Sequence, residues 1–126
     1  VNYETALRLH PNWARVLNNM GLIHYYKSEF GRAIERYEQA IAADGSEAVF
    51  HYNLALAYEA VAARLQAHQQ RNEPIQATYG VDATTDWRNL YRQAADSLRR
   101  YLTMQPNVPD ASRVQEKINE LRRRAS

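Results

Sequence analysis

Apolar residues recur three and four positions apart along most of the chain, and most Gly and Pro residues fall between these periodic stretches. Such spacing is typical of amphipathic helices, whereas the alternation expected of strands is almost absent. The pattern therefore predicts an all-α protein of about six helices. Their expected bounds are residues 1–10, 13–27, 30–43, 47 to about 71, 86–104 and 110–124.

Turn-forming residues mark where the predicted helices end and begin. Pro11 ends the first helix, and Gly45 is suited to the left-handed position that follows the third. Ser46 is expected to cap the fourth helix, and Thr84 or Thr85 the fifth, because side-chain hydroxyls accept hydrogen bonds from free N–H groups at helix N-termini.

One glycine lies inside a helical stretch. Gly21 stands in the sequence NNMGLIHYY, where the apolar spacing continues on both sides. Glycine in a helix interior costs about 1 kcal/mol relative to alanine. Either the helix ends there, or a neighbouring helix packs so closely that no side chain fits.

Two stretches of the chain share one order of large and small residues. Gly21 precedes Ala55 by 34 residues, and Pro11 precedes Gly45 by the same number. The first stretch comprises Leu17, Met20, Gly21, His24, Ala33, Tyr37, Ala40 and Gly45. The second comprises His51, Leu54, Ala55, Tyr58, Ala94, Leu98, Tyr101 and Pro106. This order resembles the tetratricopeptide repeat, a helical hairpin of about 34 residues.

The resemblance implies a right-handed α-α superhelix of hairpins, in which a helix A and a helix B alternate. It places Gly21 and Ala33 where the helices of one hairpin cross, so that small side chains let the backbones approach. The expected units are residues 1–11 (a half repeat, helix B alone), 12–46 (one repeat), 47–107 (a second repeat with an insertion) and 108–126 (a C-terminal capping helix).

The second repeat is longer than the first between its paired helices. Ala55 and Ala94 are 39 residues apart, against 12 for Gly21 and Ala33, which leaves 27 extra residues near 68–86. We expect an elongated hairpin that projects beyond its neighbours and is tipped by a connector. Apolar residues of the connector either fold back onto the hairpin or face a partner. The second candidate surface consists of Ile75, Tyr79 and Trp87.

Composition and charge add few constraints. The 126 residues contain no cysteine, which excludes disulfides, thiolate nucleophiles and cysteine-ligated zinc. No apolar run reaches the roughly 20 residues needed to span a bilayer, so we expect no membrane contact by this segment. Net charge is +2, and residues 113–126 alone carry five Lys and Arg against two Glu, which we interpret as a solvated terminal helix. The sequence leaves localisation open. Because it starts at Val1 and not at a methionine, we interpret the chain as part of a longer protein.

Motifs for catalysis and for cofactors are absent from the sequence, including Gly-rich phosphate loops, HExxH and GxSxG. His24 and His51 occupy positions that the repeat normally fills with core aromatics, so we interpret them as packed residues and not as metal ligands. Asp82 and Asp86 stand near a helix start, where negative charge is stabilised. The sequence predicts a non-catalytic protein without a cofactor or metal site.

The resemblance implies a function in protein–protein interaction. In tetratricopeptide repeat proteins, successive A helices line a concave groove that holds a peptide or a partner's helix. The residues expected to line it are Arg15, Asn18, Leu22, Tyr25, Tyr26, Val49, Tyr52, Asn53 and Leu56. Tyr25, Tyr52 and Asn53 are expected to carry recognition, since tyrosine offers an apolar ring with a hydroxyl and asparagine bonds peptide backbone. The alternative for these positions is packing against further repeats.

Three other functions stay open: RNA binding, self-association through residues 1–11, and docking within a larger enzyme or assembly. RNA binding is less favoured, because the expected groove offers one cation, Arg15, and one acid, Glu59. Some tetratricopeptide repeat proteins clamp a chaperone's C-terminal carboxylate, but here only Asn53 matches that pattern. The positions compared are Asn18, Leu22, Asn53, Asp110 and Val114.

Overall fold

The computed structural model describes residues 13–81 and 84–126, and this part of the chain contains five α-helices and no strand. The helices are α1 (Trp13–Tyr26), α2 (Phe30–Ala43), α3 (Ala48–Arg71), α4 (Trp87–Met104) and α5 (Ala111–Arg124). Each boundary lies within one residue of its sequence-based prediction, so the all-α fold is confirmed. The half repeat predicted for residues 1–11 lies outside the described residues.

Each helix packs against the next one along the chain, and α1 also meets α3. The arrangement is a pair of helical hairpins, α1 with α2 and α3 with α4, followed by α5 on α4. In the order of the repeat, α1, α3 and α5 are A helices, and α2 and α4 are B helices. The right-handed twist and the unit boundaries stay predictions.

Small and large buried side chains alternate in the core between the hairpins. In one cluster Ala33 and Tyr37 of α2 pack with Leu54 and Ala57 of α3. A larger cluster joins α3, α4 and α5, and its fully buried members include Val61, Leu65, Tyr91, Ile118 and Leu121. Burying one such aliphatic or aromatic side chain contributes about 1.5–3 kcal/mol. The core therefore joins α5 to the second hairpin as well as the two hairpins to each other.

Helix α1 continues through Gly21, so the alternative of a helix end there is wrong. A Cβ atom on Gly21 would lie 2.5 Å from Cε1 and 2.6 Å from Cδ1 of Tyr37. Non-bonded carbon atoms normally approach to about 3.5–4.0 Å. Close packing at Gly21 is therefore confirmed, but the group that excludes a side chain is the ring of Tyr37, one turn beyond Ala33, and not the α2 backbone as expected.

The turn between α2 and α3 differs from its prediction. Asp44, the residue after α2, has an extended backbone with φ −153° and ψ 93°. Gly45 does not adopt a left-handed conformation. Ser46 donates its hydroxyl proton to Asp44 Oδ1 at 2.6 Å instead of capping α3. The residue before α3 is Glu47, which makes no side-chain cap.

Helix α4 is capped by Asp86 and not by Thr84 or Thr85. The Asp86 carboxylate accepts a hydrogen bond from the backbone N–H of Arg88 at 3.0 Å. This bond satisfies one of the free N–H groups of the first helical turn. Asp86 thus has the stabilising helix-start position that the sequence indicates for it.

The second hairpin is elongated, as predicted. Helix α3 has 24 residues against 14 in α1, which makes it about 15 Å longer. It ends at Asn72, which takes the left-handed conformation with φ 56°.

The connector between α3 and α4 folds back, which is one of the two arrangements that the sequence leaves open for its apolar residues. A 3₁₀ turn, Ala77–Tyr79, brings the Tyr79 ring within 5.8 Å of the Phe30 ring and 5.9 Å of the His68 ring. The next residue, Gly80, has φ 73° and lies directly on Gly31 of α2. The connector folds back because an aromatic side chain gains burial and two glycines allow backbone contact.

Candidate functional site

Two direct contacts join α1 and α3 through residues predicted to line a groove. Asn53 Nδ2 donates a hydrogen bond to Asn18 Oδ1 at 2.9 Å. The Arg15 guanidinium lies 2.9 Å from the Glu47 carboxylate, immediately before α3. These contacts set the two A helices side by side, and we call the surface that α1 and α3 share at these residues the inner face.

Several predicted residues are used in packing between helices. Asn18 is only 7% exposed, and Leu22 is half-buried against the cluster around Tyr37. The ring of Tyr52 packs against Tyr101 of α4, with centroids 5.1 Å apart. These side chains shape the inner face but present little free surface on it.

Other predicted residues leave apolar surface in solvent. Tyr26 is 80% exposed and Val49 is 45% exposed, while Leu56 is half-buried. Tyr26 meets Tyr25 edge to face at 5.7 Å, and Tyr25 meets Phe30 in the same way at 5.5 Å. The end of α1 and the start of α2 therefore share a cluster of three rings, of which the outermost, Tyr26, is almost free.

The sequence-based prediction did not include two cations that contact nearby residues, and one of them lies directly on this cluster. The guanidinium of Arg64 on α3 lies 4.5 Å from the centroid of the Phe30 ring. Lys117 of α5 pairs with Glu59 of α3, which ties the third A helix to the second. That Arg15 is the one cation of the groove stays a prediction, and Arg64 and Lys117 are two further cations near α3.

Two charged residues of α3 affect the pKa of Tyr25. Burial raises the pKa of Tyr25, Arg64 lowers it and Glu59 raises it. Arg64 continues the stripe of Asn53 and Leu56 down the same side of α3, so extending that spacing by two turns would have found it. The position of Lys117 beside Glu59 depends on how α5 packs against the other helices, and the local sequence does not predict that packing.

The second candidate surface is mostly packed. Tyr79 is 4% exposed and therefore offers no free ring to a partner. Ile75 is half-buried against the large core cluster. Trp87 lies edge-on to Tyr91 at 6.0 Å and under Arg88, whose guanidinium is 4.2 Å from a Trp87 ring centroid.

The two histidines of the repeat pattern contact different partners. His24 Nδ1 lies 3.0 Å from Glu29 Oε1, and this contact lowers the pKa of Glu29. His51 is buried, and its burial, together with the charge of Arg100, lowers its pKa. Within residues 13–81 and 84–126, no group of three or more His, Cys, Asp or Glu side chains is placed to hold a metal ion.

Comparison with known families finds one match in the region that these contacts occupy. The family model described as TPR repeat matches residues 21–61, from the middle of α1 to the middle of α3. This segment, about a third of the chain, is therefore similar to a tetratricopeptide repeat. None of the curated proteins matches the chain.

The matched segment includes α2 and the halves of α1 and α3 that carry Tyr25, Tyr26, Asn53 and Glu59. Such repeats are in general protein–protein interaction modules, and as a family they are non-catalytic scaffolds. Arg64 and Lys117 lie outside the matched segment. Of the helices that the structure describes, none is long and apolar enough to cross a membrane.

Proposed function

We propose that the chain binds a segment of a protein partner, a peptide or a helix, on the inner face. The observation that carries the proposal is Tyr26, the most exposed of the large apolar side chains in the described part of the chain. Tyrosine buries a large apolar ring while its hydroxyl keeps a hydrogen-bond partner, and it is enriched among residues that dominate binding energy. Tyr26 would anchor the partner at the end of α1.

Asn53 supplies the polar part of recognition. One N–H of its amide is used by Asn18, and among the described residues its carbonyl oxygen and second N–H make no other hydrogen bond. A half-exposed amide has one donor and one acceptor to offer to the backbone of an extended peptide. The bond to Asn18 holds this amide in one orientation before a partner arrives.

Arg64 supplies the charge. Arg15 and Lys117 are each paired with a glutamate, whereas Arg64 has no carboxylate within ion-pair distance in the described part of the chain. Its guanidinium lies on the Phe30 ring beside Tyr25 and donates only a long bond of 3.4 Å to the Ala60 carbonyl. A partner with an acidic or carbonyl group opposite Arg64 fits this arrangement.

The test compares two double variants that each remove two exposed apolar side chains. Tyr26→Ser/Val49→Ser changes the inner face, and Val16→Ser/Ile23→Ser changes the neighbouring side of α1, where both residues are also exposed. Each protein is used to capture partners from a lysate of the source organism, with and without ribonuclease. We expect the first variant to lose a partner that the wild type and the second variant retain.

The opposite pattern would overturn the proposal, since it would place binding on the side of α1 that carries Val16 and Ile23. Capture that disappears with ribonuclease would indicate an RNA-dependent association in place of direct peptide binding. The single variant Arg64→Gln should capture the same partner more weakly than the wild type, and this capture should depend less on salt concentration.

A further inference from the structure

A second groove lies on the opposite side of the molecule, between the B helices. Helices α2 and α4 both pack on α3, and the gap between them is a cavity of about 610 Å³. Its walls are mainly apolar and include Ile34 and Ala42 of α2, Tyr58 of α3 and Leu90 of α4. We call this gap the outer groove.

The connector builds one end of the outer groove. Tyr79, Gly80 and Val81 all line the cavity, and Gly80 is held there by its backbone contact with Gly31. Because Tyr79 is anchored against Phe30 and His68, this wall is formed without a ligand. The predicted insertion therefore shapes a surface of the protein.

The groove continues along α2 beyond this first cavity. A second cavity of about 360 Å³ shares Glu38, Ala42 and Tyr58 with the first and extends toward Ser97 and Arg100 of α4. Its floor is α3, and the small side chain of Ala42 keeps the passage between the cavities open. An elongated, open groove of this kind fits a helix or an extended segment better than a compact small molecule.

Unpaired acids lie along the groove. Glu35 and Glu38 of α2 are exposed, line the first cavity, and make no ion pair with any described residue. Asp96 of α4 lines the second cavity and is likewise exposed and unpaired within the described ranges. The charge of Glu38 reaches the floor, since it adds to burial in raising the pKa of Tyr58.

We propose that the outer groove binds a protein segment that places an apolar side chain in the larger cavity and a Lys or Arg opposite Glu35 and Glu38. The apolar walls supply the burial, and the acids select the charge of the partner. This surface is separate from the inner face, so the chain has two docking surfaces of different chemistry.

The test begins with a displayed library of random peptides selected on the 126-residue chain. Enriched peptides are synthesised, and their affinities are measured by fluorescence anisotropy. Ala42→Trp fills the passage from an exposed position, and its control is Ser112→Trp, which places the same side chain at an exposed position of α5. We expect peptides with an apolar residue next to Lys or Arg, and a loss of affinity of about tenfold or more with Ala42→Trp alone.

A charge variant tests the second half of the proposal. Glu35→Gln/Glu38→Gln should weaken the same peptides and reduce the dependence of their affinity on salt. Asp110→Asn/Glu116→Gln removes one acid just before α5 and one within it, and should leave the affinity and its salt dependence unchanged. Enriched peptides that bind Ala42→Trp as tightly as the wild type would overturn the proposal. So would peptides without basic residues, or peptides lost only with Tyr26→Ser/Val49→Ser.

Discussion

Asn53 donates a hydrogen bond to Asn18 across 35 positions of sequence, and this amide pair joins the first hairpin to the second. Its two ends are not equivalent, because Asn18 is nearly buried and Asn53 is half-exposed. If Asn18 is removed, water can therefore reach the amide of Asn53. If Asn53 is removed, the carbonyl oxygen of Asn18 stays largely shielded from water.

Asn53→Ala should lower the free energy of unfolding by about 1–3 kcal/mol, because the nearly buried carbonyl oxygen of Asn18 loses its donor. Asn18→Ala should cost less, about 0.5–1.5 kcal/mol, since the amide of Asn53 then bonds to water. Urea unfolding of both variants and of the double variant measures the coupling energy. A coupling energy near zero would show that this bond does not help to hold the hairpins together.

Gly21→Ala should destabilise the protein by about 1–3 kcal/mol, the usual cost of overpacking a core. The new methyl group would meet the Tyr37 ring at 2.5 Å, and this outweighs the gain of about 1 kcal/mol in helix propensity. Thermal unfolding followed by circular dichroism checks it. The matched control is Gly45→Ala, where the nearest atom is Ile41 O at 3.4 Å, so the change should stay within about 0.5 kcal/mol. Our account of Gly21 fails if its alanine variant is the more stable protein.

Gly31→Ala should release the connector while leaving the helices folded. Its methyl group would lie 2.7 Å from the Cα and 2.8 Å from the N of Gly80, and backbone atoms cannot rotate away as a side chain can. Hydrogen exchange of the amides in residues 75–80 should become about tenfold faster or more. Thr78→Ala, at an exposed position of the same segment, is the control and should leave exchange unchanged. Unaltered exchange in Gly31→Ala would contradict the contact.

The stability of the protein should fall as the pH drops below about 6.5, in part because of His51. Burial, with the charge of Arg100, lowers the pKa of His51 in the folded chain, so the unfolded chain binds a proton first. The stability that neutral His51 contributes is complete above the unfolded pKa and is lost as the pH falls toward the folded pKa. His51→Leu should therefore flatten the dependence of the unfolding free energy on pH between about pH 7 and pH 5.

Asp44→Asn is the control for His51. Hydrogen bonds from Ser46 lower the pKa of Asp44, so the stability that its carboxylate contributes is lost only below its unfolded pKa of about 3.8. This variant should leave the range from pH 7 to pH 5 as in the wild type. An equal slope in His51→Leu and the wild type would rule out His51 as the source.

The helices could be predicted closely because each one carries its own signals. Ala33, Tyr37 and Ala40 recur at helical spacing, and α2 forms over the residues expected. The caps were harder to predict, since several residues near a helix start are chemically able to cap it. Asp86 caps α4 in preference to two nearby threonines, and that choice depends on the path of the connector into the helix.

For the connector, the sequence left two alternatives open: its apolar residues either fold back onto the protein or face a partner. Tyr79 contacts Phe30, and Gly80 lies on Gly31, although about 49 residues separate each pair in sequence. Nothing in the local pattern around Tyr79 distinguishes a ring that packs from one that faces a partner. The outcome depends on Gly31, whose missing side chain leaves room for the connector's backbone.

The sequence by itself determined the helices, their order and the repeat, because periodic apolar positions and turn residues act over a few neighbouring residues. Only the tertiary structure decided which residues of the expected groove stay free. Asn18 is covered and Tyr26 is not, Arg64 lies over the Phe30 ring, and Lys117 pairs with Glu59. The exposure of a side chain depends on how close the adjacent helices lie and which side chains fill the gap between them. The spacing of apolar residues along one helix does not determine either.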